Sequence, residues 1–313
     1  MALEPPTPTV DAGDAVVGRW VLGLIRACHF QPTLAVTAMT TGLAVLAGRG
    51  ALGCIAVAVA VLAGQLSTGW SNDWFDASRD IATGRMDKPI VSGAVSMGMV
   101  RAAACTALVA AVPLSLLSGW RAAVVHLVAI ASAWAYNLGI KATVASPLPY
   151  AISFGLLPAF VTLGLPGYPW PRPAIMLATA LLGIGAHFIN TLADREDDAR
   201  SGIAGLPQRM TARDALLTGV VLMTSCAVVI WMLGGSARGV QSVLLAASLA
   251  AAAMVVFTTL RSKPRAAWSW TWASTSWPTG ARRAGTGSWA TCARAGRGPS
   301  RPPSRPSRAG WAP

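Results

Sequence analysis

Apolar residues arrive in this chain in blocks of about 20, the length an α-helix needs to cross a hydrocarbon core. Eight such blocks follow one another, at approximately residues 30–48, 51–70, 99–117, 122–139, 147–165, 172–190, 214–234 and 239–260. One run of this kind fits a buried core helix, but eight in series define a multi-pass membrane protein. Helices are the spanning structure that satisfies its own backbone hydrogen bonds in lipid. Composition agrees: charged residues make up only 12% of the 313, against about 25% in a soluble domain, and the mean hydropathy is +0.53. The fold class expected is therefore an all-α integral membrane protein with eight recognisable transmembrane helices.

Three connections between the blocks are tight, around Gly48 to Gly50, Gly119 to Arg121 and Gly234 to Arg238, whereas 71–98 and 191–213 are long. The long ones follow the second and sixth blocks, so parity places both on one side of the membrane. With the N-terminus inside, thirteen Lys and Arg up to residue 263 fall on the inner side, and only Arg49, Arg121, Arg172 and Arg238 on the outer. By the positive-inside rule both long loops face the cytoplasm. Residues 1–18, with Glu4, Asp11 and Asp14 among prolines, lack the basic start and apolar centre of a secretory signal and read as a disordered tail. Cys28, Cys54, Cys105, Cys226 and Cys292 form no C-x-x-C pair, and the first four, in or beside apolar segments, read as buried thiols.

The acidic residues are concentrated. Asp73, Asp76, Asp80 and Asp87 lie in the first long loop, and Asp194, Glu196, Asp197 and Asp198 in the second, eight of the chain's twelve carboxylates. In N-D-W-F-D-A-S-R-D, continuing the second helix puts Asn72, Asp76 and Asp80 on one face at four-residue intervals, with Asp73 beside them. In H-F-I-N-T-L-A-D-R-E-D-D, Asn190, Asp194 and Asp198 repeat the spacing, with Asp197 and His187 close by. Stripes of amide and carboxylate oxygens suit a hard cation such as Mg²⁺, which keeps open positions for phosphate oxygens. Ions held between two such stripes would neutralise a diphosphate and make it a competent leaving group. Solvated loop charge, helix capping or lipid-headgroup contact is the alternative; polar residues at membrane depth are costly and seldom persist without function.

N-D-x-x-D-x-x-x-D after the second helix, D-K-P-I-V-S-G-A-V-S from Asp87 to Ser96, and D-R-E-D-D after the sixth helix together resemble the UbiA superfamily of intramembrane prenyltransferases. The similarity spans roughly residues 20–262. It implies nine helices around a central cavity and Mg²⁺-dependent transfer of a prenyl group from a prenyl diphosphate to an aromatic, quinone-precursor-like or other lipophilic acceptor. It implies Asn72, Asp73, Asp76 and Asp80 as metal and diphosphate ligands from one motif, and Asp194, Asp197 and Asp198 from the other. Asp76, Asp80, Asp194 and Asp198 are the central catalytic carboxylates on this reading, with Asn190 beside them. Arg26, ahead of Pro32, resembles a family arginine near the diphosphate, and Lys141, after Tyr136 and Asn137, a family basic residue. Arg85 and Lys88 are further basic candidates, and each of these four equally suits a positive-inside anchor. The expected location is a bacterial cell membrane, with the site open to the cytoplasm and lipid as the surrounding partner.

The same scaffold also suits a terpene cyclase, in which the allylic cation is captured within its own chain. A divalent-cation transporter is disfavoured because its charged residues usually sit near the midplane. Residues 264–313 carry eight arginines, six of the thirteen tryptophans and no Asp or Glu, and supply +8 of the formal net charge of +13. No nucleic-acid partner follows from a charge confined to that segment. From about Ala267 onward its Arg, Ala, Gly, Pro, Ser and Trp vocabulary reads as out-of-frame translation of a GC-rich strand, the competing reading being a basic tail on anionic lipid. The organisation expected is thus a tail to 18, a prenyltransferase domain over 19–263, and this atypical segment.

Overall fold

The structure is a computed structural model and describes residues 12–200, 202–234 and 238–261. The C-terminal segment read as out of frame lies outside them. Ten α-helices and no strand occur among the described residues: α1 (Ala12–Ala27), α2 (Phe30–Leu46), α3 (Ala51–Thr83), α4 (Met97–Leu116), α5 (Trp120–Leu138), α6 (Pro147–Thr162), α7 (Pro173–Ala193), the short α8 (Arg195–Arg200), α9 (Ala212–Met232) and α10 (Arg238–Arg261). α3, α4, α7 and α9 are long and apolar enough to cross a membrane, and α2 and α6 are shorter apolar helices. Their outward faces carry large exposed hydrophobics such as Leu46, Leu52, Val109 and Met232. Apolar surface on that scale marks a lipid-facing wall.

The chain departs from the expected boundaries in two places. α1 begins at Ala12, inside the segment read as a tail, and packs at its far end against the loop after α3. There Gly23 lies close to Val95, and Trp70 Nε1 donates to Leu24 O at 2.9 Å. α3 does not stop near Trp70 but runs unbroken for 33 residues, about 50 Å at 1.5 Å per residue. It ends where Gly84 takes the left-handed conformation (φ 68°), which glycine adopts without a Cβ penalty. The first acidic motif, Asn72 to Asp80, therefore lies within the last three to four turns of a continuous helix.

α2, α3, α5 and α6 pack in a closed ring, with α4 against α3 and α7, α9 and α10 following from α6. Val57 and Val61 of α3 and Leu157, Phe160 and Val161 of α6 fill the core at one end. That end is tied together by Arg49, whose guanidinium donates to Val161 O and to Ser118 Oγ, both at 3.2 Å. One side chain thus links the α2–α3 turn, the α4–α5 turn and the end of α6. Gly164 makes room for it, since a Cβ there would meet Arg49 Cζ at 2.7 Å. Arg49→Met is expected to lower stability by about 1–3 kcal/mol through the two lost bonds with turnover unchanged, because the acidic residues lie at the other end. Denaturation of the detergent-purified protein beside an activity assay measures both.

Candidate active site

At the other end the two acidic motifs meet. Asp76, Arg79, Asp80, Thr83 and Arg85 from α3 and its following loop line a polar cleft of about 220 Å³ together with Asp197, Asp198 and Ile203. α3 supplies its side from consecutive turns of one helix. The opposite side is bent: α7 ends at Ala193, Asp194 caps it, and α8 restarts at Arg195, with Asp198 N donating to Asp194 O at 2.8 Å. The regular four-residue stripe expected through Asn190, Asp194 and Asp198 is broken there, and the bend brings Asp197 and Asp198 into the cleft.

Basic side chains hold the carboxylates in place. Arg85 is the bridge between the motifs: its NH2 lies 3.0 Å from Asp194 Oδ1 and 3.1 Å from Asp87 Oδ2, its Nε lies 3.2 Å from Asp197 Oδ2, and its NH1 is 3.9 Å from Asp80 Oδ1. Lys141, buried in the turn after α5, pairs with Asp76 and reaches Asn72 Oδ1 at 3.3 Å. Arg79 pairs with the same Asp76 from one turn further along α3. Lys88 Nζ sits 2.8 Å from Asp73 Oδ1, and His29 Nε2 lies 3.1 Å from that same oxygen. Gln208 Nε2 donates to Asp198 Oδ2 at 2.7 Å.

Burial and charge act differently on the two lysines. Burial pulls the Lys141 ammonium below its ordinary range, and Asp76 offsets this only in part. Burial also disfavours charge on Lys88, but there the Asp73 carboxylate outweighs it and the pKa rises. Burial pushes the Asp198 carboxyl up, against the hydrogen bond from Gln208. Arg85, although half-buried, is held more firmly protonated by its ring of four aspartates.

Of the residues singled out in the sequence, Asn72, Asp73, Asp76, Asp80, Arg85, Lys88, Lys141, Asp194, Asp197 and Asp198 gather at this end, and Asn190, one turn before Asp194 on α7, is hydrogen-bonded with Tyr150. Asp73 is turned off the stripe: it is buried to 2% and taken up by His29 and Lys88. Arg26 is exposed on the last turn of α1 and makes no ion pair among the described residues. His187 lies fully buried one turn below Asn190, with Nε2 3.0 Å from Ser146 Oγ. Sequence reasoning missed His29, Arg79 and Gln208 as site residues. His29 is held in the left-handed region (φ 54°) at the elbow between α1 and α2, and a positive φ in a non-glycine residue at a site is a mark of imposed geometry.

Among the described residues no three His, Cys, Asp or Glu side chains converge on one metal position as they stand. The donor set nevertheless fits Mg²⁺, whose coordination is usually completed by substrate phosphates around one or two protein carboxylates.

Comparisons with known proteins agree with this architecture. The model of the UbiA prenyltransferase family matches residues 31–276. The chain belongs to that family, and it is a prenyltransferase. Among solved structures it resembles a UbiA homologue from Archaeoglobus fulgidus bound to GPP and Mg²⁺ (15% identity, TM-score 0.59, 75% of this chain and 86% of that one). The same homologue bound to DMAPP and Mg²⁺ aligns at 16% identity with a TM-score of 0.58 and the same coverage. A digeranylgeranylglyceryl phosphate synthase aligns at 16% identity and a TM-score of 0.54, over 76% of this chain and 88% of that one. At these identities the likeness is one of fold. No curated protein matches the sequence.

Proposed function

We propose that the chain transfers a prenyl group from a prenyl diphosphate to an aromatic or other lipophilic acceptor within the membrane, with Mg²⁺ as cofactor. One observation carries this reading: carboxylates from both motifs, Asp76 and Asp80 on one side and Asp197 and Asp198 on the other, line a single cleft. The prenyl diphosphates and Mg²⁺ bound by the Archaeoglobus homologue support the choice of ligand. Asp76, Asp80, Asp194, Asp197 and Asp198 would hold the metal ions, with Asn72 and Asp73 beside them. Mg²⁺ bound there supplies charge neutralisation that makes the diphosphate a competent leaving group.

The chain's own basic groups do the rest at that end. Arg79, Arg85 and Lys141 face the carboxylates across ion pairs, so phosphate oxygens entering the cleft meet donors already aimed at anionic oxygen. They stabilise charge developing on the diphosphate as its bond to the prenyl carbon lengthens, and preorganised charge in a dry site is the largest catalytic contribution. The apolar helices keep water from the allylic carbon, leaving an electron-rich carbon of the acceptor as the nucleophile. Purified protein incubated with Mg²⁺, labelled prenyl diphosphates and a panel of aromatic acceptors tests the reading. Prenylated acceptor is the expected product; a cyclised hydrocarbon from the diphosphate alone would instead mark a cyclase.

Residues 19–263, extended by α1 back to Ala12, form the catalytic domain on this reading, and eight helices cross the membrane with both acidic loops in the cytoplasm. The aromatics Trp120, Tyr168 and Trp170 are exposed at the Arg49 end, where Arg121 lies 4.6 Å from the Tyr168 ring centroid. Such residues favour the headgroup level. Cysteines introduced at Thr83 and at the exposed Ala204 are expected to react with an impermeant reagent only from the cytoplasmic side, and one at Tyr168 only from outside. Labelling of the first two from opposite faces would remove the shared site.

A further inference from the structure

α1 lies outside the eight apolar blocks, and its 16 residues, about 24 Å at 1.5 Å per residue, fall short of a hydrocarbon core. Nor does it run on beside α3 as α2 does. The chain turns at His29 (φ 54°), and before that elbow the Cys28 carbonyl abuts Gly69 while Leu24 O accepts from Trp70 Nε1. Four residues of α1 therefore answer to one of α3, whereas helices lying side by side advance together, so α1 crosses α3 steeply. The crossing falls where the apolar run of α3 ends at Trp70 and Ser71, Asn72 and Asp73 follow. In a spanning helix that is the level at which hydrocarbon gives way to headgroups.

Around its axis α1 divides into three faces. Gly23 and Ala27 are buried and Leu24 half-buried against the protein, so closely that a Cβ at Gly23 would lie 2.5 Å from Val95 Cγ1. At about 100° per residue, Val17, Val21, Ile25 and Leu22 fall together in a sector of roughly 140°, and each is between 42% and 62% exposed. Arg26 and Arg19 come next around the helix, both exposed, at the edge of that sector. Just past the elbow, Phe30 and Leu34 of α2 are exposed on the lipid-facing wall.

We propose that α1 lies in the plane of the membrane at the acidic-motif end, with Val17, Val21, Leu22 and Ile25 among the acyl chains and Arg19 and Arg26 on the phosphates of anionic lipid. Burial of one apolar face, with basic side chains at its edge, is how such helices hold to a bilayer, and arginine stems lie along the apolar face while their heads reach the headgroups. A second copy of the chain is the poorer fit, because it would bring four arginines to one seam with no acid among residues 17–26 to answer them.

For the test, p-benzoylphenylalanine replaces Val17, Arg19, Val21, Ile25 or Arg26 singly in the full-length protein. The protein is irradiated in liposomes of equal phosphatidylcholine and phosphatidylglycerol, and adducts are identified by mass. Phospholipid adducts are expected from positions 17, 21 and 25 and not from 19 and 26. At position 21 phosphatidylglycerol is expected to exceed phosphatidylcholine about fivefold, the effect of one arginine beside an anionic surface, and to fall to near parity when Arg19→Gln and Arg26→Gln are added. Three apolar positions report independently, so a variant that fails size exclusion leaves two others to decide. Lipid adducts from no position would put α1 in water, and adducts from every position alike would run it through the bilayer. Capture of another protein chain would put a second copy on the face. Each of these overturns the proposal, as does equal capture of the two lipids by the chain with both arginines.

Discussion

Asp76→Asn and Asp194→Asn are each expected to lower turnover by about 10³-fold while leaving the protein folded and membrane-inserted, since removing one preorganised electrostatic group at a reacting charge costs about 10²–10³ and each of these also removes a metal ligand. The change keeps shape and removes charge. At Asp76 it leaves the buried Lys141 and the partly exposed Arg79 facing a neutral amide; burial already draws the Lys141 ammonium's pKa down, so it can shed its proton rather than stand as an unpaired buried charge, and Arg79 keeps its contact with solvent. At Asp194 it removes one of four carboxylates around Arg85, and Asp80, Asp87 and Asp197 remain as counter-charges. Neither variant therefore strands a cation in the interior, and loss of activity would report chemistry rather than unfolding. Arg26→Ala serves as the contrast: that side chain is exposed and unpaired among the described residues, and its loss is expected to leave turnover near wild type. Turnover of labelled geranyl diphosphate with Mg²⁺, beside size-exclusion profiles of each variant, measures all three. Near-normal activity in either aspartate variant would sink the two-motif mechanism.

What the sequence made legible follows from periodicity. Blocks of apolar residues located the long helices from α2 onward but not α1 or the short α8, and Asn72, Asp76 and Asp80 at four-residue spacing lie on successive turns of α3 because that helix runs through them. The meeting of the two motifs was also legible, since both follow even-numbered blocks and the parity of crossings puts them at one end. What periodicity could not show is which cation answers which carboxylate. Arg85 and Asp194 are 109 residues apart, and His29 and Asp73 are 44 apart; no local pattern encodes such pairs. The break at Asp194 was hidden for a related reason. A run of acids directly after an apolar helix reads the same whether the helix continues or is capped and restarted, and the cap is decided by Arg195, which reaches the carbonyls of Pro207, Gln208 and Met210 across the following loop. Asp73 shows the limit on the other side. The resemblance implied it as a ligand alongside Asn72, but one residue's offset from Asn72 is about 100° of helix rotation, enough to turn it toward His29 and Lys88 and away from the lining of the cleft.

The elbow that carries His29 gives the largest stability effect expected of a single small substitution. Gly69 of α3 lies against the backbone of Cys28, where Thr33 Oγ1 donates to Cys28 O at 2.9 Å and Trp70 Nε1 to Leu24 O at 2.9 Å. A Cβ at position 69 would overlap the Cys28 carbonyl group, which is backbone and has no rotamer to swing away. Gly69→Ala must therefore lift the α1–α2 elbow from α3, loosening the Trp70 bond and drawing His29 from Asp73 together. Overpacking of this kind costs about 1–3 kcal/mol, and each of the two loosened hydrogen bonds adds about 1 kcal/mol, so a loss of about 3–5 kcal/mol is expected, with lower turnover because Asp73 keeps only Lys88. Gly42, on the exposed side of α2, has nothing within 4 Å of the position its Cβ would take. Alanine there removes only glycine's helix penalty of about 1 kcal/mol, and Gly42→Ala is expected to be as stable as wild type or slightly more so. The same chemical change thus has opposite signs at two sites, and the difference lies in what faces them. Parallel unfolding of the two variants in one detergent decides it: a Gly69→Ala protein as stable as Gly42→Ala would mean that the elbow does not sit on α3 as described.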